Sequence, residues 1–394
     1  MSQELINRSP DLKRLRDEGF EVEVRSGHLV IGSVPYVNAQ RQISRGVLVS
    51  DLTLAGNITT RPGTHVAYFI GDHPCTKDGA EILAIKHASG LTQLAQDLQT
   101  NHSFSNKPPN GYADYYEKMT TYITVISSPA KAVDPEVDAR TFKVIESGDS
   151  TSVFKYLDTA SSRASITAIS ERLAPQRLAI VGLGGTGSYV LDFVAKTPVR
   201  EIHLFDDDLF LQHNAFRAPG AHSIEDLKRQ DSKVQYFHDL YGRMRVGIVA
   251  HKIRIQEDNI NLLQGYDFVF LCIDKGTSRK LFVKALLGAG IPFVDVGMGV
   301  EVTGEPQQLW GVCRVTTGTS AKSDHLARRI PMAEVEGDDL YAQNIQIADL
   351  NALNAAFAVI KWKRLSGVYA DVEGEQHVTY STNFNLLTSE ETLA

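Results

Sequence analysis

Gly182, Gly184, Gly185 and Gly187 crowd one turn of the chain, a spacing suited to binding a phosphate. Without side chains, the backbone there can turn tightly and lie bare against phosphate oxygens. Downstream, Asp206 and Asp208 offer carboxylates that can accept from ribose hydroxyls, and Asn214 and Arg217 add an amide and a guanidinium beside the phosphates. Cys75 lies in the turn-rich segment Gly71-Asp-His-Pro-Cys-Thr-Lys-Asp-Gly79, near His73 and Lys77, where positive charge favours the thiolate. It is a candidate nucleophile for an activated acyl group, with an inert small residue in a turn as the alternative.

These groups need elements to hold them. Leu178 to Val181 is a short, unbroken apolar run, which predicts a parallel strand buried on both faces. Ser188 to Lys196 follows with helical spacing, so the positive N-terminal end of a helix points into the glycine turn. Glu201 to Phe205 predicts the second strand, ending at the acids. An NAD enzyme would show one acid at that point; here the acids are followed by Asn214 and Arg217.

At these residues the chain resembles the ThiF-type family, the adenylating enzymes that activate ubiquitin and its prokaryotic sulfur-carrier relatives. The family pattern is Gly-x-Gly-Gly-x-Gly, then Asp-x-Asp with an Asn and an Arg at set distances, matched by Gly182 to Gly187, Asp206, Asp208, Asn214 and Arg217. Tyr266 to Asp274 looks like the family's strand ending in a magnesium-binding Asp, and Arg279 sits where the next helix carries an Arg. Gly276 to Leu287 predicts that helix, and Ile291 to Val296 the strand after it. Val300 to Val315 resembles the family's antiparallel strands around a turn. Ile345 to Leu365 predicts a long helix ended by Gly367, and His377 to Ser381 a last strand.

The resemblance implies an α/β, Rossmann-like ThiF-type adenylation domain with a mixed sheet over residues 150 to 394, preceded by a separate, smaller α+β domain over 1 to 145. It implies ATP and magnesium as cofactors, held by the glycine turn, Asp206, Asp208, Asn214, Arg217 and Asp274. The family's triphosphate Lys falls either at Arg245, in Gly242-Arg-Met-Arg-Val246, or at Lys233. Arg163 occupies the place of an Arg that crosses between subunits, so a homodimer is expected. The implied reaction is adenylation of the C-terminal carboxylate of a ubiquitin-like or sulfur-carrier protein, with or without thioester transfer. Competing readings are adenylation of a small-molecule or tRNA carboxylate, a nucleotide-binding adapter without turnover, and an NAD oxidoreductase.

A net charge of -7 argues against wholesale nucleic-acid binding. The N-terminal residues carry no apolar signal core, and no apolar run approaches the ~18 residues of a membrane span, so no membrane contact and a cytoplasmic location are expected. Cys75, Cys272 and Cys313 form no Cys-x-x-Cys pair, so no zinc is expected. Cys272 and Cys313 are expected in the core.

In the first part of the chain, Asp11 to Glu18 predicts a short helix. Phe20 to Val24, His28 to Ile31, Gly46 to Leu54 and His65 to Ile70 predict strands. Tyr112 to Met119 predicts a helix on which Tyr112, Tyr115 and Tyr116, with Tyr122 beyond, form either a partner-binding surface or a packing face. Ser127 to Pro135 predicts a linker, and Ser150 to Leu173 a helical stretch.

Overall fold

The computed structural model describes residues 2–147, 152–274, 276–332 and 345–392. Two units, Met1–Ser150 and Thr151–Ala394, are each compact.

The first unit begins with α1 (Ser2–Arg8) and α2 (Pro10–Asp17). Strands β1 (Glu21–Arg25), β2 (His28–Val37) and β3 (Ile43–Asp51), the small β4–β5 hairpin (Leu54–Ala55, Ile58–Thr59), and β6 (Val66–Ile70), β7 (Lys86–Ala95) and β8 (Leu98–Ser105) follow, before α3 (Tyr115–Val133). The antiparallel sheet runs β1-β2-β3-β6-β8-β7. Tyr112, Tyr115 and Tyr122 are buried in its core, so they pack rather than face a partner. Each hydroxyl finds the backbone: Tyr115 accepts from Thr53 N at 2.7 Å, Tyr122 donates to His65 O at 2.6 Å, and Tyr112 donates to Asn106 O at 3.0 Å. Tyr116 is half-buried, under the Arg14 guanidinium.

The expected linker is helical. Helix α3 runs through Pro129 to Val133, although Pro129 donates no N–H to the carbonyl four residues back. Ile126 and Ala130 are fully buried, and tertiary burial overrides the local preference. The β7–β8 hairpin was not legible because β7 is exposed along most of its length and shows no apolar alternation.

The second unit starts with two short helices, α4 (Thr159–Arg163) and α5 (Thr167–Ser170), rather than one long one. Asp158 caps α4 by accepting from Ser161 N at 3.0 Å, and Ser165 takes a positive φ between the helices. Then come β9 (Arg177–Val181), α6 (Gly185–Ala195), β10 (Glu201–Phe205), α7 (Gln212–Ala215), α8 (Ile224–Arg229) and α9 (Lys233–Tyr241). After them lie β11 (Ile248–His251), β12 (Phe268–Leu271), α10 (Gly276–Gly288), β13 (Phe293–Val302), β14 (Leu309–Gly318), α11 (Leu326–Arg329), α12 (Ala348–Leu365), β15 (His377–Ser381) and β16 (Leu386–Glu390). Ser150, where the expected helical stretch begins, and residues 333–344 lie outside the described residues.

The sheet order is β11-β10-β9-β12-β13-β14-β15-β16, parallel from β11 to β13 and antiparallel beyond. Alternate residues of β9 serve different cores. Leu178 and Ile180 pack with Val190 and Leu191 of α6 and with Ala358 and Trp362 of α12, whereas Ala179 and Val181 pack with Phe282 and Leu286 of α10. Covered on both faces, the strand must be apolar throughout.

Candidate functional site

The C-terminal ends of β10, β9 and β12 lie side by side, with Val181 in register with Phe205 on one flank and Leu271 on the other. The residues just past each end therefore meet at one edge of the sheet: Asp206, the glycine turn, and the segment from Cys272 to Asp274. This is where an open α/β sheet binds ligands.

Each glycine in the turn answers a different contact. Gly182 has φ +90°, and a Cβ there would lie 2.3 Å from Cys272 O. A Cβ on Gly187 would lie 1.9 Å from Gly182 O, so this glycine lets α6 sit on the turn. At Gly185 it would lie 2.1 Å from Asn351 Nδ2 on α12. Only at Gly184 would a Cβ meet open space, and Gly184 caps the N-terminal end of α6. The face left open to an anion is therefore at Gly184, beside the free N–H groups of the helix.

Asp206 ties the neighbouring loop to this turn. Its Oδ2 accepts from Leu183 N at 2.7 Å and its Oδ1 from Asp208 N at 2.9 Å. Burial pushes the Asp206 carboxyl above the usual carboxylate range, with the nearby Lys233 ammonium opposing it. Lys233 Nζ sits 3.5 Å from Asp206 Oδ1 and 2.7 Å from Asp208 Oδ2, and that hydrogen bond holds the Asp208 carboxyl low. Lys233 is the first residue of α9, and its N–H donates to Asp208 O at 2.9 Å. Asp206, Asp207 and Asp208 cluster closely enough for a cation. Lys233 and Arg254 already pair with the group, Arg254 Nε lying 3.1 Å from Asp207 Oδ1. Arg254 carries no signal in the sequence, because its partner lies 47 residues earlier.

Asn214 is buried, and its Oδ1 accepts from Leu211 N at 2.8 Å, which caps α7. It fixes the loop that follows Asp208. Arg217 is half-buried, and its Nε has no hydrogen-bond partner among the described residues. Asp274 is exposed and lines a narrow cavity with Gly184, Thr186, Gly297 and Asn354. A single exposed carboxylate beside an anion-binding turn fits magnesium, which takes few protein oxygens and completes its shell with phosphate and water. Arg279 anchors the approach to Asp274: it donates to Ile273 O at 2.7 Å and pairs with the fully buried Asp295 at 3.3 Å.

Two expected site residues are engaged by other groups. Arg245 is buried, and its guanidinium donates to Ala195 O, to Thr197 O at 2.9 Å and to Val199 O, all at the C-terminal end of α6. Of the two cations considered for the triphosphate, Lys233 is the one beside the acids. Cys75 is 1% exposed, bridged to Val37 and Glu81, and its thiol donates to His73 O at 3.2 Å. Burial pushes this thiol up, and Glu81 and Asp72 push it further, so the expected thiolate is not favoured. Arg163 is exposed at the end of α4. Cys313 is buried as expected, and Cys272 is only partly so. The asparagines of α12 at the turn were not foreseen, since nothing local to them marks a site.

Residues 159–352 match the model of the ThiF family. They are a ThiF domain. Residues 10–159 match a domain of unknown function (DUF6791). The chain is similar to the yeast "Adenylyltransferase and sulfurtransferase UBA4" of Saccharomyces cerevisiae, 26% identical over 133 residues, covering 33% of this chain and 30% of that protein. It is similar also to the "Probable adenylyltransferase/sulfurtransferase MoeZ" of Mycobacterium tuberculosis, 28% identical over 127 residues and 32% of each chain. The chain thus spans less than a third of the length of these curated relatives. Among solved structures, E. coli MccB with ATP aligns with a TM-score of 0.46 and 16% identity, over 57% of this chain and 66% of that one. No helix among the described residues is long and apolar enough to cross a membrane.

Proposed function

We propose that the ThiF domain uses ATP to adenylate the C-terminal carboxylate of a ubiquitin-like or sulfur-carrier protein. The observation that carries this reading is the meeting of the open Gly184 turn, the Asp206–Lys233 pair and Asp274 at one sheet edge. The relatives' printed names, adenylyltransferase and sulfurtransferase, support it.

A carboxylate oxygen attacks the α-phosphorus of ATP, and the bond to the bridging oxygen breaks. Pyrophosphate leaves with the electron pair, and an acyl-adenylate remains. A carboxylate is a weak nucleophile and repels the triphosphate, so the protein's work is positioning and charge neutralisation. Gly184 and the first N–H groups of α6 receive phosphate oxygens. Asp206 accepts from ribose, Asp208 and Asn214 shape the adjoining loop, and Arg217 and Lys233 face phosphate. Asp274 would hold magnesium, which would neutralise phosphate charge.

The burial of Cys75 favours release of the acyl group without relay through that thiol. The reading extends to a cytoplasmic homodimer in which Arg163 of the partner subunit completes the site. The test is ATP–pyrophosphate exchange with a panel of ubiquitin-like and sulfur-carrier proteins. Exchange with one of them, abolished by Asp274→Ala in a protein that still folds, supports the proposal. Retained exchange in that variant puts the metal elsewhere, and ATP binding without exchange would make the protein a nucleotide-binding adapter.

A further inference from the structure

The parallel half of the ThiF sheet ends in a short edge strand. β11 has four residues, Ile248–His251, and pairs with β10 alone. A strand so short is held by few backbone bonds, and such edges open more readily than central strands. Phe205, the last residue of β10, directly precedes Asp206, so the placement of Asp206 depends on how firmly this edge is pinned. Asp206 N donates to His251 O at 3.4 Å, and the rings of Phe205 and His251 stack with centroids 4.5 Å apart and planes 7° from parallel.

A chain of polar side chains crosses three strands to reach that stack. Arg177 Nε, on β9, donates to Glu201 Oε2 at 2.7 Å, His203 Nε2 lies 3.1 Å from the same oxygen, and His203 Nδ1 lies 2.9 Å from His251 Nε2. An ionised carboxylate can only accept, so His203 carries its proton on Nε2, and its Nδ1 accepts from the Nε2–H of His251. Burial lowers both imidazoles below their usual range, which keeps the pair neutral at neutral pH and the direction of the chain fixed. His203 is buried on a face otherwise built from Ala179, Val181, Phe205 and Leu271. Apolar side chains of similar size would fill that face at a lower desolvation cost. What the two imidazoles add is direction: they fix the His251 ring from a carboxylate that is itself anchored on β9.

We infer that His203 and His251 are positioning residues of the nucleotide site, holding Phe205, and with it Asp206, where a ribose hydroxyl meets the carboxylate. The inference rests on the reading of Asp206 as the ribose acceptor. The N–H groups of Leu183 and Asp208 donate to the Asp206 carboxylate, so their protection reports its placement with no nucleotide present.

The test compares ATP with 2′,3′-dideoxy-ATP, which lacks the hydroxyls that Asp206 would accept from, by titration calorimetry on the full chain. His203→Leu fills the same space without the hydrogen bonds and should lower the preference for ATP over the dideoxy nucleotide about tenfold. His251→Phe, which keeps the stack on Phe205, should do the same, whereas His203→Gln, whose amide can serve both neighbours, should retain the preference. Without nucleotide, amide hydrogen exchange at Leu183 and Asp208 should be faster in His203→Leu than in wild type, and unchanged in His203→Gln. An unaltered nucleotide preference in His203→Leu and His251→Phe, an equal loss of affinity for both nucleotides, or unaltered amide exchange would overturn the inference. If the wild-type chain does not distinguish the two nucleotides, the ribose reading of Asp206 falls; faster amide exchange in His203→Leu would then still leave the histidine pair as what holds Asp206.

Discussion

Arg245 separates a structural cation from a phosphate-binding one, and its removal should damage stability rather than nucleotide affinity. Its guanidinium serves the carbonyls of Ala195, Thr197 and Val199 and sits at the negative end of α6. Burial lowers it to about 10, so it remains charged at neutral pH. Arg245→Ala would leave three buried carbonyls without donors, at about 1–3 kcal/mol each, a total on the order of 3–6 kcal/mol after local relaxation. Such a loss is a large part of the ~5–15 kcal/mol that holds a typical domain together. Arg245→Lys keeps the charge but not the planar fork, and should lose about half as much. Urea unfolding reports the change as a shift in midpoint at constant slope. The glycine turn lies at the other end of α6, 11 residues and so about 16 Å away, which leaves ATP affinity of the folded Arg245→Lys protein unchanged. Lys233→Met provides the contrast, with ATP bound about tenfold or more weakly through loss of a charge-assisted contact. If Arg245→Lys kept wild-type stability but lost ATP affinity, Arg245 would belong to the phosphate site and not to the end of α6.

Cys75→Ala should leave pyrophosphate exchange unchanged, and alkylation of native Cys75 should be slow; a reducible acyl adduct on Cys75 would reverse that assignment. His377 is lowered from 6.5 to about 4 by burial, with Arg329, Arg314 and His325 adding to the effect. Between those values the folded state binds fewer protons than the unfolded one, so stability rises with pH across the window and falls as pH drops from about 6.5 to 4. The full effect is about 3 kcal/mol, and His377→Asn should flatten the pH dependence by that order; equal slopes for the two proteins would count against it.

Where a feature follows from backbone geometry or from burial on both faces, the sequence by itself determined it. The apolar run from Leu178 to Val181, the glycines of the turn, the acids after β10 and Asp274 after β12 were all legible, because a parallel sheet places successive strand ends at one edge. The starts of α3 at Tyr115, α6 at Gly185 and α12 at Ala348 each differ by three residues from the expected Tyr112, Ser188 and Ile345. Polar residues whose role depends on distant partners were decided only by tertiary structure. Arg245 and Lys233 are both cations near a predicted helix, but one meets the end of α6 and the other meets Asp206. Cys75 looked electropositive by its neighbours in the chain, until folding brought burial and Glu81 against it. Asn354 had no local signature, since the Gly297 carbonyl that its amide meets lies 57 residues earlier in the chain. Local sequence specifies what a strand or turn must be, whereas the charge and hydrogen bonding of a side chain are set by whatever the fold brings against it.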